Sequence, residues 1–167
     1  MTPQHFRPIS LIPSLGKIIE IFVRNKLWDH IQDHAIIPQS QFGFQKGCST
    51  FHPLTKFTSD CLSKAEIKNV TAACLVDLKR AFDSVWHEGL IFKLIYLKFP
   101  LPLIRLIYSY LNNRSFFVTS DGCNSAIKPI SAGVPQGSII GPFLFNIYTA
   151  DFPAFPQIDG IQSLSYA

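Results

Sequence analysis

The stretch that decides the fold is LVDLKRAFDSV, residues 75–85. An apolar run over 71–77 leads into it and ends in a carboxylate, a pattern typical of a buried strand. A carboxylate at the end of a strand is held at the rim of a sheet, where it can bind a metal ion or act as a base. Taken alone, Asp77 is more simply a cap for the segment that follows.

The second carboxylate of the stretch, Asp83, precedes a helical pattern that runs towards Leu90. We predict that Asp83 caps this helix or places a charge in its first turn. Metal binding is the less favoured alternative, because a turn separates Asp83 from Asp77. His87 and Glu88 are neighbours in an amphipathic stretch, where such a pair usually lies on the surface, and we assign them no chemistry.

Helices and strands are predicted on both sides of this stretch. Apolar spacing predicts helices over 14–31, from about Thr50 to Ala65, over 90–95, over 103–111 and from Pro142 to Tyr148. Turn residues Asp121 and Gly122 predict a hairpin over 115–131, and residues 160–167 have the pattern of a further strand. The chain is therefore expected to have an α+β fold.

Two glycine-containing loops could approach a ligand closely. In AGVPQGS, residues 132–138, the glycines permit a close backbone approach, and Gln136 offers both a donor and an acceptor. In FGFQKGCST, residues 42–50, Lys46 stands between glycines before a helix start, as in a triphosphate cradle. The first loop alone is more simply a strand-to-helix turn, and the second alone is a weak signal.

The composition is that of one folded domain. Of the 167 residues, 47% are hydrophobic and 16% charged, and the net charge of +4 permits a polyanionic partner without establishing one. The four cysteines lack zinc spacing, and the apolar runs around Cys61 and Cys74 predict buried thiols in a reducing compartment. No leader pattern opens the chain, and charges and prolines interrupt residues 90–111. We therefore expect an intracellular protein, cytoplasmic or nuclear, with no membrane partner.

Five stretches in order resemble the reverse transcriptase family, especially the LINE-like and jockey-like enzymes of non-LTR retrotransposons. They are FRPISL (6–11), QFGF (41–44), LVDLKRAFDSV (75–85), GVPQGS (133–138) and the closing YA (166–167). The resemblance covers nearly the whole chain. It implies the fingers and partial palm of a right-hand polymerase, with an incomplete antiparallel palm sheet and flanking helices. Residues 1–70 would be fingers-like, and 71–167 a mixture of fingers and palm.

The resemblance also implies a metal site. Asp77 would be catalytic and would bind both Mg²⁺ ions of a two-metal site, with the backbone carbonyl of Leu78 as a further ligand. Such a site needs several carboxylates to hold ions about 3.5–4 Å apart. The family continues Tyr-Ala with an Asp-Asp pair, whereas this sequence stops at Ala167. We therefore expect the metal site to be incomplete, the C-terminal palm and thumb to be missing, and this chain to be inactive.

Five residues would contact the incoming nucleotide by the same resemblance. Phe82 would lie under the sugar and exclude a 2′-hydroxyl by steric contact. Gln136 and Gly137 would contact the nucleotide beside the template base. Lys46 would contact the triphosphate, and Arg80 occupies the position of the basic residue that is usual before Ala-Phe-Asp.

Two departures from the family pattern lie in the loop that carries Lys46. Gln45 and Cys48 stand where the family usually has arginine. Both departures remove positive charge from the expected triphosphate cradle.

The implied function is that of an RNA-directed DNA polymerase. With an RNA template and a DNA primer, the primer 3′-hydroxyl attacks the α-phosphate of a deoxynucleoside triphosphate and releases pyrophosphate. The alternative is a non-enzymatic retroelement remnant with at most weak nucleic-acid binding.

The resemblance makes a geometric prediction as well. Asp77, Phe82, Gln136 and the loop of Lys46 should converge on one cleft. Residues 166–167 should lie on a strand beside the strand that ends at Asp77.

Overall fold

A computed structural model describes residues 9–152 and 161–166 of the chain. The helices in these ranges are α1 (Ser14–Asp33), α2 (Phe51–Glu66), α3 (His87–Tyr96), α4 (Leu101–Leu111) and α5 (Gly141–Tyr148). The strands are β1 (Ser115–Phe116), β2 (Thr119–Ser120), β3 (Cys123–Asn124) and β4 (Lys128–Pro129). A single 3₁₀ turn, Phe82–Ser84, precedes α3. All five predicted helices form, and with small antiparallel sheets they make the α+β fold that was predicted.

The core lies where α1, α3, α4 and α5 pack together. α3 packs against both α4 and α5, and α1 contacts the same two helices. The largest fully buried apolar side chains are Leu27, Ile31, Val85, Leu90, Leu94, Ile107, Leu111, Ile140, Leu144 and Ile147. Each such side chain contributes about 1.5–3 kcal/mol when it leaves water, so these contacts drive the packing of the four helices.

Only one edge of the apolar stripe on α1 is buried. The residues that face the core are Glu20, Val23, Leu27 and Ile31, spaced three or four apart as one face of a helix requires. On the other side of the helix, Leu15, Ile18, Ile19 and Phe22 are exposed. A carboxylate, Glu20, therefore takes a core position while apolar neighbours face solvent.

The second helix, α2, has no buried side chain. Its apolar residues Phe51, Leu54 and Leu62 are exposed. Its amphipathic sequence predicted the helix correctly, and within the described residues no other element packs extensively against it.

The predicted buried strand over 71–77 is wrong. The segment has no regular secondary structure, every residue in it is exposed, and Leu75 has an exposed fraction of 97%. A strand forms only when a neighbouring strand pairs with its N–H and C=O groups, and among the described residues none does so. Cys74 is likewise exposed, contrary to the prediction of a buried thiol.

The predicted hairpin after α4 is confirmed. β1 pairs antiparallel with β4, and β2 pairs antiparallel with β3 closer to the turn. Asp121 and Gly122 form the turn with φ of 50° and 77°. Positive φ at both central residues matches the right-handed twist of the two strands, which explains why Asp-Gly predicts a hairpin.

The end of the chain pairs with a different partner from the one predicted. Ser165 forms a parallel bridge with Gln41, and its N–H donates to the carbonyl of Ser40. The expectation that Tyr166 lies on a strand beside Asp77 is therefore wrong, because the loop before α2 supplies the backbone partner. Gly160 and Ala167 lie outside the described residues. In the ranges described, no helix is both long enough and apolar enough to span a membrane.

Candidate functional site

Two of the stretches singled out in the sequence bind each other through their backbones. The N–H of Val134 donates to the carbonyl of Phe82 across 2.8 Å, and the N–H of Gly133 donates to the carbonyl of Val85 across 2.8 Å. The 3₁₀ turn and the loop 133–137 therefore form one unit at the start of α3.

Glycine is required at position 133 for two separate reasons. Its φ is +92°, a conformation that other residues rarely adopt. A Cβ atom there would also lie 2.8 Å from the carbonyl oxygen of Asp83. The carbonyl of Gly133 accepts a hydrogen bond from Nε2 of His87 at 2.8 Å, so this histidine, to which the sequence assigned no role, holds the same loop.

The side chains of Asp83 and Gln136 meet across this unit. Nε2 of Gln136 donates to Oδ1 of Asp83 at 2.8 Å. The prediction that Asp83 caps α3 is wrong, since Trp86 holds the N-cap position and no side chain caps the helix. The bond to Asp83 fixes which end of the Gln136 amide is the donor and leaves the amide oxygen as an acceptor.

Gly137 is packed against the segment at the start of the described chain. Its φ is +98°, and a Cβ atom there would lie 3.1 Å from the carbonyl oxygen of Ser10. The N–H of Ser10 donates to the carbonyl of Gln136 at 2.8 Å. Ile9 and Ser10 of the first stretch thus pack against the loop, while residues 6–8 lie outside the described residues.

Phe82 is half-buried between two other aromatic rings. Its ring stacks on Phe145 of α5, with centroids 4.7 Å apart and planes at 23°. Phe44 meets it edge to face at 5.8 Å and 86°. Phe44 belongs to the same loop as Lys46, so this contact brings that loop to the 3₁₀ turn.

Buried amides attach the Lys46 loop to α5. Nε2 of Gln41 donates to Oδ1 of Asn146 at 2.8 Å, and Nδ2 of Asn146 donates to the carbonyl of Gly43 at 2.9 Å. The exposed fractions of Gln41 and Asn146 are 5% and 1%. Sequence reasoning missed Asn146, because its apolar surroundings on α5 gave no sign of a polar partner more than one hundred residues away.

The charged residues expected at the site differ from Phe82 and Gln136 in being exposed. Asp77, Leu78, Lys46 and Arg80 are all exposed, and the three charged side chains form no hydrogen bond or ion pair within the described part of the chain. No group of three His, Cys, Asp or Glu side chains that could hold a metal ion occurs there either. The residues present therefore do not by themselves fit a complete two-metal site.

The predicted convergence is supported in part. Phe82, Gln136 and the loop of Lys46 meet around the 3₁₀ turn. The place of Asp77 in the same cleft stays a prediction, because no contact joins its side chain to them.

The sequence matches the profile of the family described as "Reverse transcriptase (RNA-dependent DNA polymerase)" over residues 2–167. It is 42% identical over 156 residues to the RNA-directed DNA polymerase from mobile element jockey of Drosophila funebris, covering 93% of this chain and 17% of that protein. It is 41% identical over 152 residues to the probable RNA-directed DNA polymerase from transposon BS of Drosophila melanogaster, covering 91% of this chain and 17% of that protein.

A further relative is the probable RNA-directed DNA polymerase from transposon X-element of Drosophila melanogaster. It is 36% identical over 151 residues, which is 90% of this chain and 16% of that protein. The chain thus spans about 17% of the length of the jockey and BS proteins.

Proposed function

The chain belongs to the reverse transcriptase family, in its non-LTR retrotransposon lineage, and from that premise we propose that it builds the pocket for the incoming deoxynucleotide in an RNA-directed DNA polymerase. The observation that carries the proposal is the unit formed by Phe82, Asp83 and Gln136. In this unit the Gln136 amide is bonded to Asp83, the residue next to Phe82, and backbone hydrogen bonds from Gly133 and Val134 join the two segments.

In this proposal the ring and the amide select the nucleotide. Phe82 is held by Phe145 and Phe44, so its ring cannot swing away from a sugar placed over it. A fixed ring discriminates against a 2′-hydroxyl by steric contact. Gln136 presents its amide oxygen and Gly137 its backbone, both of which suit contacts to a nucleotide next to the template base.

Electrostatic contacts complete the proposed pocket. Lys46 and Arg80 are exposed cations that could neutralise the triphosphate. The loop that carries Lys46 contacts Phe82 through the ring of Phe44. The family generally uses divalent metal ions, and Mg²⁺ is the ion that we propose. Asp77 and the carbonyl of Leu78 would supply part of its ligands.

The proposed reaction is template-directed transfer of a nucleotidyl group. An RNA template and a DNA primer are the nucleic-acid partners, and the primer 3′-oxygen forms a bond to the α-phosphorus while the bond to pyrophosphate breaks. Residues 1–70 would contribute to the fingers and residues 71–167 to fingers and palm. An intracellular location, in cytoplasm or nucleus, belongs to the same proposal.

Photo-crosslinking with 8-azido-deoxyadenosine triphosphate tests the pocket directly. We expect the label on peptides from 41–47 and 133–140, and we expect excess unlabelled deoxyadenosine triphosphate to reduce it several-fold. Gln136→Ala should lower the labelling, whereas Gln32→Ala, at an exposed glutamine on α1, should not. Uniform labelling that unlabelled nucleotide does not compete would support the alternative, a retroelement remnant without a nucleotide site.

A further inference from the structure

A buried carboxylate lies behind the loop that carries Gln136. Glu20 on α1 has an exposed fraction of 3%. Its Oε1 accepts a hydrogen bond from the hydroxyl of Tyr110 at 2.7 Å, and its Oε2 accepts one from the N–H of Ile139 at 2.6 Å. A charged residue at a core position is costly unless it is compensated, so its presence there requires a reason.

The surroundings of Glu20 offer one donor to each of its two side-chain oxygens. Both partners are donors, and no Lys, Arg or His among the described residues forms an ion pair with it. Burial is the main cause that raises the pKa of Tyr110 above its ordinary value; Glu20 also raises it, while Ser138 and the charge of Arg114 act in the opposite direction. Ile139 lies just before α5, whose N-terminal end favours negative charge.

Glu20 and Asp83 hold the loop from two different elements. Asp83 binds the side chain of Gln136 from the 3₁₀ turn, and Glu20 binds the backbone of Ile139, three residues further on, from α1. We infer that Glu20 is a positioning residue that fixes the loop carrying Gln136 and Gly137. This inference rests on the proposed function, in which that loop contacts the incoming nucleotide.

The sequence alone points away from this role. Glu20 stands between Ile19 and Ile21, and an acidic residue on an amphipathic helix is ordinarily on the solvated face. Only the packing of α1 against α4 and α5 shows that Glu20 faces inward while Ile19 is exposed.

Nuclear magnetic resonance on the 167-residue chain tests the inference. Glu20→Gln keeps the shape of the side chain but offers one acceptor where two donors point. We expect the side-chain amide signals of Gln136 and the backbone signals of Gly137 and Ile139 to shift or broaden. We also expect amide hydrogen exchange over 136–140 to become at least tenfold faster, while Leu94 in the core of α3 exchanges as in the wild type.

Two further variants separate positioning from a general loss of packing. Val23→Ala removes buried apolar volume from the same helix, and its effect on exchange should be global rather than confined to 136–140. Tyr110→Phe removes one donor and keeps the bond to Ile139, so it should change the loop less than Glu20→Gln does. The inference would be overturned if the signals of Glu20→Gln match those of the wild type. It would also be overturned if Glu20→Gln and Val23→Ala, at the same loss of stability, change amide exchange alike.

A nucleotide titration distinguishes failure of this inference from failure of the proposed function. Addition of deoxyadenosine triphosphate with Mg²⁺ to the wild-type chain should move the Gln136 and Gly137 signals, and Glu20→Gln should weaken that response several-fold. A wild type whose loop signals ignore the nucleotide would count against the proposed pocket. A response of equal strength in Glu20→Gln would count against the positioning role alone.

Discussion

The amide of Gln136 donates a hydrogen bond of 2.8 Å to the carboxylate of Asp83, and this bond joins two stretches separated by more than fifty residues. An amide can rotate to exchange its oxygen and nitrogen, and a carboxylate partner, which only accepts, removes one of the two orientations. Asp83 therefore determines which atom of Gln136 faces the proposed nucleotide site.

Asp83→Ala should lower the free energy of unfolding by about 1–2 kcal/mol, because it removes a half-buried hydrogen bond to a charged group. Urea denaturation followed by circular dichroism measures this change. Glu66→Ala is the control, since Glu66 is exposed at the end of α2 and its side chain makes no hydrogen bond among the described residues. Equal losses in both variants would show that the bond to Gln136 contributes nothing.

Gly133→Ala should destabilise the chain more than Gly47→Ala does. Both glycines have positive φ, +92° and +81°, so both substitutions carry a backbone strain of about 1–3 kcal/mol. A Cβ at Gly133 also meets the backbone of Asp83 at 2.8 Å, whereas a Cβ at Gly47 has no atom within 4 Å. The difference between the urea midpoints of the two variants measures the cost of the contact between the new Cβ and the backbone of Asp83. Equal midpoints would show that this contact costs nothing.

The stability of the chain should fall with rising pH above about pH 10 through Tyr110. Burial, with the bond to Glu20, raises the pKa of Tyr110 in the folded state above the ordinary value of 10.0. Above pH 10 the unfolded chain then loses a proton that the folded chain keeps, so the free energy of unfolding falls by up to about 1.4 kcal/mol per pH unit from this group.

Tyr108→Phe provides the control for this pH dependence. Tyr108 lies on the same helix but is 55% exposed. Denaturation at a series of pH values from 8 to 11 should give a shallower slope for Tyr110→Phe than for the wild type or for Tyr108→Phe. Parallel slopes in all three proteins would mean that Tyr110 titrates alike in the folded and unfolded chains.

Local patterns predicted the elements whose partners are close in sequence. The spacing of apolar residues around Leu90 and Ile107 was enough to predict α3 and α4, and Asp121-Gly122 was enough to predict the hairpin. The strand predicted over 71–77 does not form, because a strand exists only through a neighbour that pairs with it, and local sequence does not show whether such a neighbour is present.

Long-range polar contacts account for the parts of the site that sequence reasoning missed. From the sequence, Glu20 is expected on the solvent-exposed face of α1, and Asn146 is a neutral polar residue among apolar neighbours on α5. Their partners, Ile139 and Gly43, are more than one hundred residues away, so neither periodicity nor spacing could reveal them. The resemblance singled out Phe82 and Gln136, whose segments the structure joins through Asp83 and Val134. Their assigned roles, like that of Asp77, stay predictions.

The 167-residue polypeptide on its own should extend no primer on an RNA template with Mg²⁺ and deoxynucleotides. Asp77 is the one carboxylate in it that matches the metal-binding residues of the family, and two-metal transfer needs several carboxylates. A primer-extension assay with Asp77→Ala as the matched control measures this. Template-dependent incorporation above the level of that control would show the prediction to be wrong.

Nucleic-acid binding by the chain should be weak, indifferent to sequence and lost between low and physiological salt. A net charge of +4 can neutralise only a few phosphates, and each contact contributes a slope of about −0.9 in log K against log salt for a duplex. The cations expected to contribute are Lys46, Lys79 and Arg80, all of which are exposed.

Fluorescence anisotropy on an RNA–DNA hybrid across a salt series tests this binding, with variants of equal charge as controls. Lys46→Gln, Lys79→Gln and Arg80→Gln combined should abolish most binding at low salt and flatten the slope. The control combines Lys17→Gln, Lys26→Gln and Lys64→Gln, at exposed lysines on α1 and α2, and should weaken binding less although it removes the same charge. If both triple variants bind alike, net charge rather than the proposed pocket accounts for the affinity. Tight binding that survives high salt would instead require an extended nucleic-acid surface elsewhere on the chain, because a few exposed cations cannot supply it.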